Sequence, residues 1–141
     1  MSYLPSVFII IVNYNGWKDT IECLESLYQN HYPNYEIILI DNASSDNSIN
    51  KIKEYCKNDL KVHSNFLKYN PRNKPISILE VTSTELDKKE SGYFFQAPQN
   101  QRLFIIKNDK NYGFAEGNNI GIRFVLKNLD SDYILLLNND T

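Results

Sequence analysis

Apolar residues gather in short unbroken runs, and each run gives way to polar turn formers. Val7 to Val12 is apolar at every position, the pattern of a strand buried on both faces of a parallel sheet, and it ends in Asn13-Tyr14-Asn15-Gly16. Glu36 to Ile40 reads as a second strand and runs into Asp41-Asn42. Leu103 to Ile106 reads as a third, followed by Asn108-Asp109-Lys110-Asn111-Tyr112-Gly113, and Tyr133 to Leu137 as a fourth, followed by Asn138-Asn139-Asp140. Between the runs the spacing becomes helical. Ile21, Leu24, Leu27 and Tyr28 share one face after Gly16, with Asp19 and Glu22 placed for a capping box and Pro33 marking the end. Ile49, Ile52 and Cys56 share another, with Ser44, Ser45 and Asp46 available as N-caps. A third helix is predicted from about Ala115 to Asn128 with Ile122, Val125, Leu126 and Leu129 on its apolar face, and Gly113, Gly117 and Gly121 near its start allow close backbone approach.

Strands alternating with helices predict an α/β fold: a Rossmann-like, mostly parallel sheet with helices on both faces and right-handed crossovers. Residues from about 57 to 101 break the rhythm and read as an insertion of extra strands or loops. It holds a turn at Asn70 to Pro75, a possible strand at Ile76 to Thr82 and a charged loop at Glu85 to Ser91. The mixed charges of that loop, Glu85, Asp87, Lys88, Lys89 and Glu90, describe a solvated surface. If the fourth strand returns beside the first, the topological switch lies between them. Asn13 to Asn15 and Asn138 to Asp140 then face one crevice at the carboxyl edge, where open α/β sheets bind ligands.

At 141 residues and 42% apolar content the chain suits a single domain with a real core. A net charge of −2 supplies no basic field, so no nucleic-acid partner is expected. No apolar run approaches the roughly 18 residues needed to cross a bilayer, and the chain reads as cytoplasmic. Cys23 and Cys56 lack metal-ligand spacing and fit buried, reduced thiols. A sheet ending at Tyr133 to Leu137 leaves apolar surface that favours self-association.

A lone Asp at a strand end can hold a divalent cation, because Mg²⁺ takes one or two protein carboxylates and leaves its other positions to water and phosphates; Asp140 fits that role. Asp41, an acceptor only, can receive an imide N–H or ribose hydroxyls, and Tyr14 can stack on a flat ring. Ordinary turn chemistry competes with these readings. Asn42, Ser44, Ser45 and Asp46 suit capping better than ligand contact, and Asp41 and Asp140 suit a turn as well as a site. His31 and His63 have no nearby ligand partners, and Trp17 reads as core or as a hydrophobic staple. Neither G-x-G-x-x-G after a strand, G-x-x-x-x-G-K-[ST] nor G-x-S-x-G occurs, which disfavours dinucleotide, P-loop and nucleophile-elbow chemistry.

The segments I-I-I-V-N-Y-N-G-W, I-L-I-D-N-A-S-S-D, N-Y-G-F-A-E-G-N-N-I-G and Y-I-L-L-L-N-N-D-T, in this order, resemble the inverting glycosyltransferases of family 2, of GT-A fold, with the bacterial rhamnosyltransferase-like branch nearest. The resemblance implies a nucleotide-diphosphate sugar donor, UDP- or dTDP-linked, and a saccharide or lipid-linked acceptor in the full enzyme, which would be cytoplasmic or peripheral at a membrane. It implies that Asn13, Tyr14, Asn15 and Asp41 hold base and ribose, with Asn42 among the nucleotide-sugar contacts, that Asn139 lies near ribose and diphosphate, and that Gly113 and Asn118 line the donor pocket. Asp140, the last residue of the family's D-x-D motif, would bind Mg²⁺ or Mn²⁺, while Asn138 stands where the first Asp is usual. Family members continue past this motif into an acceptor half that carries the general base. The chain is therefore expected to be a donor-binding half. A non-catalytic nucleotide-binding module is the first alternative; a sugar nucleotidyltransferase, with only Gly16 and Lys18 where a Gly-rich basic loop is needed, and a receiver-type α/β domain rank lower.

Overall fold

The computed structural model describes residues 3–85 and 98–141. Among these residues, five parallel strands and three α-helices follow one another as β1 (Val7–Asn13), α1 (Trp17–Tyr28), β2 (Tyr35–Asp41), α2 (Ser48–Cys56), β3 (Ser77–Thr82), β4 (Arg102–Lys107), α3 (Gly113–Asn128) and β5 (Tyr133–Leu137). The spatial order is β3-β4-β2-β1-β5. The expected strand at Ile76 to Thr82 is thus the outermost member of the same sheet, paired in parallel with β4. Of the charged loop at Glu85 to Ser91, everything past Glu85 lies outside the described residues.

Alternate strand residues serve the two faces, as the pleat requires. Ile9, Ile11, Ile37, Leu39, Leu103 and Ile105 pack against α1 and α2 through Ile21, Leu24, Ile52 and Tyr55. Phe8, Ile10, Ile38, Ile40, Phe104 and Ile106 pack on the other face against Ile120, Phe124 and Val125 of α3. The apolar stripe of α3 therefore differs from the expected one: Val125 is in the core, Ile122 and Leu129 are partly buried, but Leu126 is 73% exposed. Helix α3 crosses so close to the sheet that a β-carbon at Gly121 would lie 2.8 Å from Cγ2 of Ile10. Gly121→Ala is expected to destabilise by about 1–3 kcal/mol through overpacking, measurable by chemical denaturation.

Cys23 and Cys56 are free and buried, as expected. Burial pushes their thiols up, to about 11 and about 12 respectively, so neither is a thiolate at neutral pH. Trp17 packs on the α1/α2 side of the core, with the ammonium groups of Lys18 and Lys51 each 5.6 Å from its ring centre. The outer strand β5 exposes Tyr133, Leu135 and Leu136. No helix among the described residues is long and apolar enough to cross a membrane.

The segment after α2 is fastened by an ion pair that composition does not announce. Glu25 on α1 and Lys74 meet at 2.8 Å with both side chains essentially inaccessible. Glu25 also accepts from the Tyr55 hydroxyl (2.8 Å), the Gln29 amide (2.8 Å) and the Asn70 N–H (2.7 Å). The Lys74 ammonium donates to Asn70 O and Asn73 Oδ1 and lies 4.9 and 4.6 Å from the ring centres of Tyr55 and Tyr69. Burial would raise the Glu25 carboxyl, but the bonds from Lys74, Asn70, Tyr55 and Gln29 outweigh it and hold the group below its ordinary range.

Candidate functional site

Parallel pairing sets the strand ends in register: Asn13 lies opposite Asp41, Asp41 opposite Lys107, and Lys107 opposite Thr82. Backbone bonds continue past the ends, from Asn42 N to Asn13 O and from Asn108 N to Asp41 O, each 2.9 Å. The polar clusters of β1, β2, β4 and β5 thereby share one edge of the sheet.

Hydrogen bonds tie these tips together. Asn139 Nδ2 donates to Thr20 Oγ1 (3.2 Å), which donates to Asn13 Oδ1 (2.7 Å). The other end of that amide, Asn13 Nδ2, donates to Asp41 Oδ1 (2.8 Å) and to Ser44 Oγ (3.2 Å). Asp41 also accepts from Ser44 Oγ on Oδ1 (2.7 Å) and from Ser44 N on Oδ2 (3.0 Å). Asn13, Thr20 and Asp41 are buried, so they act from beneath the surface to hold its shape. Asn15 takes a left-handed conformation, φ 50°, and its Oδ1 accepts from Ser45 N (2.8 Å) and Asp46 N (3.2 Å). The β1 and β2 turns are consequently clasped to one another.

Capping differs from expectation. Asn47 occupies the N-cap of α2 in a left-handed conformation without a side-chain bond, while Asp46 accepts from Ser48 N (3.0 Å) and from the Ser48 hydroxyl. Ser44 serves Asp41 and Ser45 serves Asn15. Helix α1 starts at Gly16 with no side-chain cap; Asp19 lies in its first turn.

The expected site residues fall into distinct groups. Tyr14 is half-exposed beside the buried Asn13. Asn42 is buried, donating to the Gly113 carbonyl (3.1 Å) and accepting from Asn108 Nδ2 (2.7 Å). Gly113 has φ +83°, a conformation glycine adopts at no steric cost. Asn118 is buried, donates to Phe114 O, and its Oδ1 has no partner. Asp140 is exposed and lines a cavity of about 580 Å³ with Asp19, Glu22, Cys23, Phe66 and Asn139. Asp41 lines a different one, of about 390 Å³, with Ser44, Ser48, Lys53, Lys107 and Asn108. Asp41 and Asp140 therefore share the edge but not a cavity.

β5 returns beside β1, as the expected switch between them requires, and a second parting of connections borders the second cavity. Helix α2 leaves β2 on one face and α3 leaves β4 on the other. Neighbouring connections diverge between β2 and β4, and the crevice that such divergence opens is the one Asp41 and Asn108 line. Thr20, Ser44, Lys53, Lys107 and Asn108 were not singled out by their pattern as site residues. Asn108 and Lys107 obey the same strand-end rule as Asp41, so that signal was present; Thr20 sits in the first turn of α1 and gives none.

No group of three or more His, Cys, Asp or Glu able to hold a metal ion occurs among the described residues. A cation carried on a phosphate needs only one or two protein carboxylates, and the exposed carboxylate of Asp140 meets that smaller demand.

Residues 8–77 match the family described as Glycosyl transferase family 2. Over 48 residues the chain is 48% identical to glycosyltransferase GlyG of Streptococcus pneumoniae, covering 34% of this chain and 15% of that protein. Over 65 residues it is 35% identical to the dolichyl N-acetyl-alpha-D-glucosaminyl phosphate 3-beta-D-2,3-diacetamido-2,3-dideoxy-beta-D-glucuronosyltransferase of Methanococcus voltae, covering 42% of this chain and 20% of that one. The chain thus spans a fifth or less of these relatives' lengths. The mannosyltransferase of Pyrobaculum calidifontis in complex with GDP-Man and Mn²⁺ shares the fold, with a TM-score of 0.62 over 99% of this chain and 28% of that one at 16% identity.

Proposed function

We propose that this chain, whose residues 8–77 match a glycosyl transferase family 2 domain, is the donor-binding part of an enzyme that moves a sugar from a nucleoside diphosphate to an acceptor hydroxyl with inversion. The observation that carries the reading is the clasped edge of the sheet, where Asn13, Asp41 and Asn139 are joined through Thr20. In this reading the nucleoside rests between the β2 and β4 ends, with Tyr14 as a stacking surface, and the diphosphate extends toward Asn139 and Asp140. The resemblance of the motifs supports a UDP- or dTDP-linked donor and kinship with the rhamnosyltransferase-like branch. The acceptor is a saccharide or lipid-linked hydroxyl, and inversion requires a base within hydrogen-bond reach of it, a role given to none of the residues above.

Asp140 is the residue that would hold Mg²⁺ or Mn²⁺. When bound, such an ion neutralises the diphosphate and so eases its departure. The protein's own part is to pre-order the pocket: Asn13 and Ser44 fix Asp41, and Asn15 fixes the turn at Ser45 and Asp46. Binding then spends little on ordering loops.

Calorimetry with UDP and dTDP, with and without Mn²⁺, tests the assignment. Binding is expected, strengthened by Mn²⁺, and Asp140→Ala should remove about tenfold of the metal-dependent affinity, about 1.4 kcal/mol. Failure of every nucleoside diphosphate to bind would overturn the reading. An unchanged metal dependence in Asp140→Ala would remove that residue from its role.

A further inference from the structure

Glu22, Glu25 and the C-cap residue Gln29 lie along one stripe of α1, and each holds the irregular stretch after α2. Glu22 accepts from Ser64 Oγ (3.0 Å), Glu25 accepts from Asn70 N (2.7 Å), and Gln29 Nε2 donates to Lys68 O (2.7 Å). Val62 is buried in the core beside α1, and Tyr69 packs against that core. Between these anchors the chain turns outward, with Phe66 N donating to Ser64 Oγ (3.0 Å). Phe66 is left 89% exposed on a loop that is pinned on both sides. A phenyl ring so held forgoes the gain of burial and presents an ordered apolar face to solvent.

Two cavities meet at this ring. Glu22, Phe66 and Leu67 line both a cavity of about 590 Å³ and the one of about 580 Å³ that Asp140 lines. In the latter, Asp19, Glu22 and Asp140 add three carboxylates to the aromatic face. A carboxylate can only accept, so hydroxyl groups suit it, whereas an anion without a bridging cation is repelled. The face of an aromatic ring is negative and attracts C–H bonds, whose hydrogens carry slight positive charge. A pyranose has both features, hydroxyls at its rim and C–H bonds on its flat sides. An organic cation would also satisfy the ring and the carboxylates. Place favours the sugar, because the cavity reaches Asp140, assigned above to the diphosphate end of the donor, and an acceptor hydroxyl has to arrive at that end.

We propose that Phe66 is the stacking platform of an acceptor subsite, on which a pyranose lies in the cavity shared with Asp140 while Asp19 and Glu22 accept its hydroxyls. Binding of the sugar follows from the cavity itself; its part in a transfer rests on the donor-binding reading above. A volume of about 580 Å³ falls in the range of small-ligand sites and admits a sugar ring.

Amide NMR on the isotope-labelled chain, titrated with methyl β-D-glucoside, methyl β-D-galactoside, mannitol and tetramethylammonium, provides the test. At least one glycoside is expected to move the signals of Glu22, Phe66 and Leu67. Mannitol, which has hydroxyls but no ring face, and tetramethylammonium should leave them in place. Phe66→Ala is expected to weaken that glycoside about fivefold and, because the ring is exposed, to melt near the parent temperature. Phe66→Trp, with a broader face, should bind it at least as tightly as the parent. Should Phe66→Ala fail to fold, Phe66→Leu, which keeps the bulk without the aromatic face, is expected to show the same loss. The subsite is overturned if neither glycoside moves these signals, if mannitol or tetramethylammonium moves them as strongly, or if a folded Phe66→Ala or Phe66→Leu binds the glycoside as the parent does. UDP separates the two readings. UDP bound without any glycoside removes the subsite and leaves donor binding standing, while a Phe66-dependent glycoside without UDP keeps the sugar site and overturns its place as acceptor.

Discussion

Lys74→Met is expected to lower folding stability by about 3–5 kcal/mol, the usual cost of stranding one member of a buried ion pair. Glu25 would keep its three neutral donors but lose the cation that pairs with it, in a site where neither partner is more than 1% exposed. The loss should register as a lower denaturation midpoint at an unchanged slope. Acidity gives a second signature. The Glu25 carboxyl is held below its ordinary value of 4.5 in the folded protein, so its contribution is fully present above that pH and disappears as pH falls through the depressed folded value. In Lys74→Met the carboxyl rises instead, because burial is then less opposed. The gap between variant and parent should accordingly narrow as pH is lowered below about 5 and widen toward neutrality. A gap constant with pH would show that packing against Tyr55 and Tyr69, not charge, is what Lys74 supplies.

Asp41→Ala is expected to cost at least about 3 kcal/mol, because it strands buried donors at about 1–3 kcal/mol each. The Ser44 N–H loses its acceptor and Asn13 Nδ2 keeps only its longer bond to Ser44 Oγ, so the clasp between the β1 and β2 turns rests on Asn15 alone. Denaturation would report the global loss, and hydrogen exchange at Ser44 would report the local one. Asp41→Asn should be milder yet not neutral, since one end of an amide must present N–H to a group that itself donates. If Asp41→Ala kept both its stability and the protection of Ser44, the buried network would be a bystander.

The sheet was legible in advance because its strands are buried on both faces. Val7 to Val12 and Ile37 to Ile40 are continuous apolar runs for that reason, and the observed strands exceed the expected ones by only a residue or two at most ends. β3 was less clear because it lies at the edge, where Ser77 and Glu80 are exposed and the apolar signal thins. Leu126 was misplaced because helical spacing gives a stripe without its exact centre, and the close approach at Gly121 rotates α3 toward Ile120 and Phe124.

At the site, the strand-end rule brought Asn13, Asp41 and Asn139 to one edge but could not say which would be spent on one another. Asp41 resembles a free acceptor in one dimension; only the folded chain shows Ser44 and Asn13 occupying it. Asn108 passes unnoticed in a polar turn until the Gly113 carbonyl, through Asn42, decides which way its amide faces. Glu25 is the extreme case. A glutamate in a helix reads as solvated, and its lysine lies 49 residues away, in the irregular stretch after α2.

The bonds from Asn139 through Thr20 and Asn13 to Asp41 all point one way, every donor facing toward the buried carboxylate. Aligned dipoles in a dry interior reinforce one another, so the negative charge lodged under β2 polarises an amide three links distant at the rim of β5. Neutralising that charge would slacken the whole line at once, and a disturbance at the rim would travel inward by the same route. Two places that look separate on the surface are, electrically, the ends of a single wire.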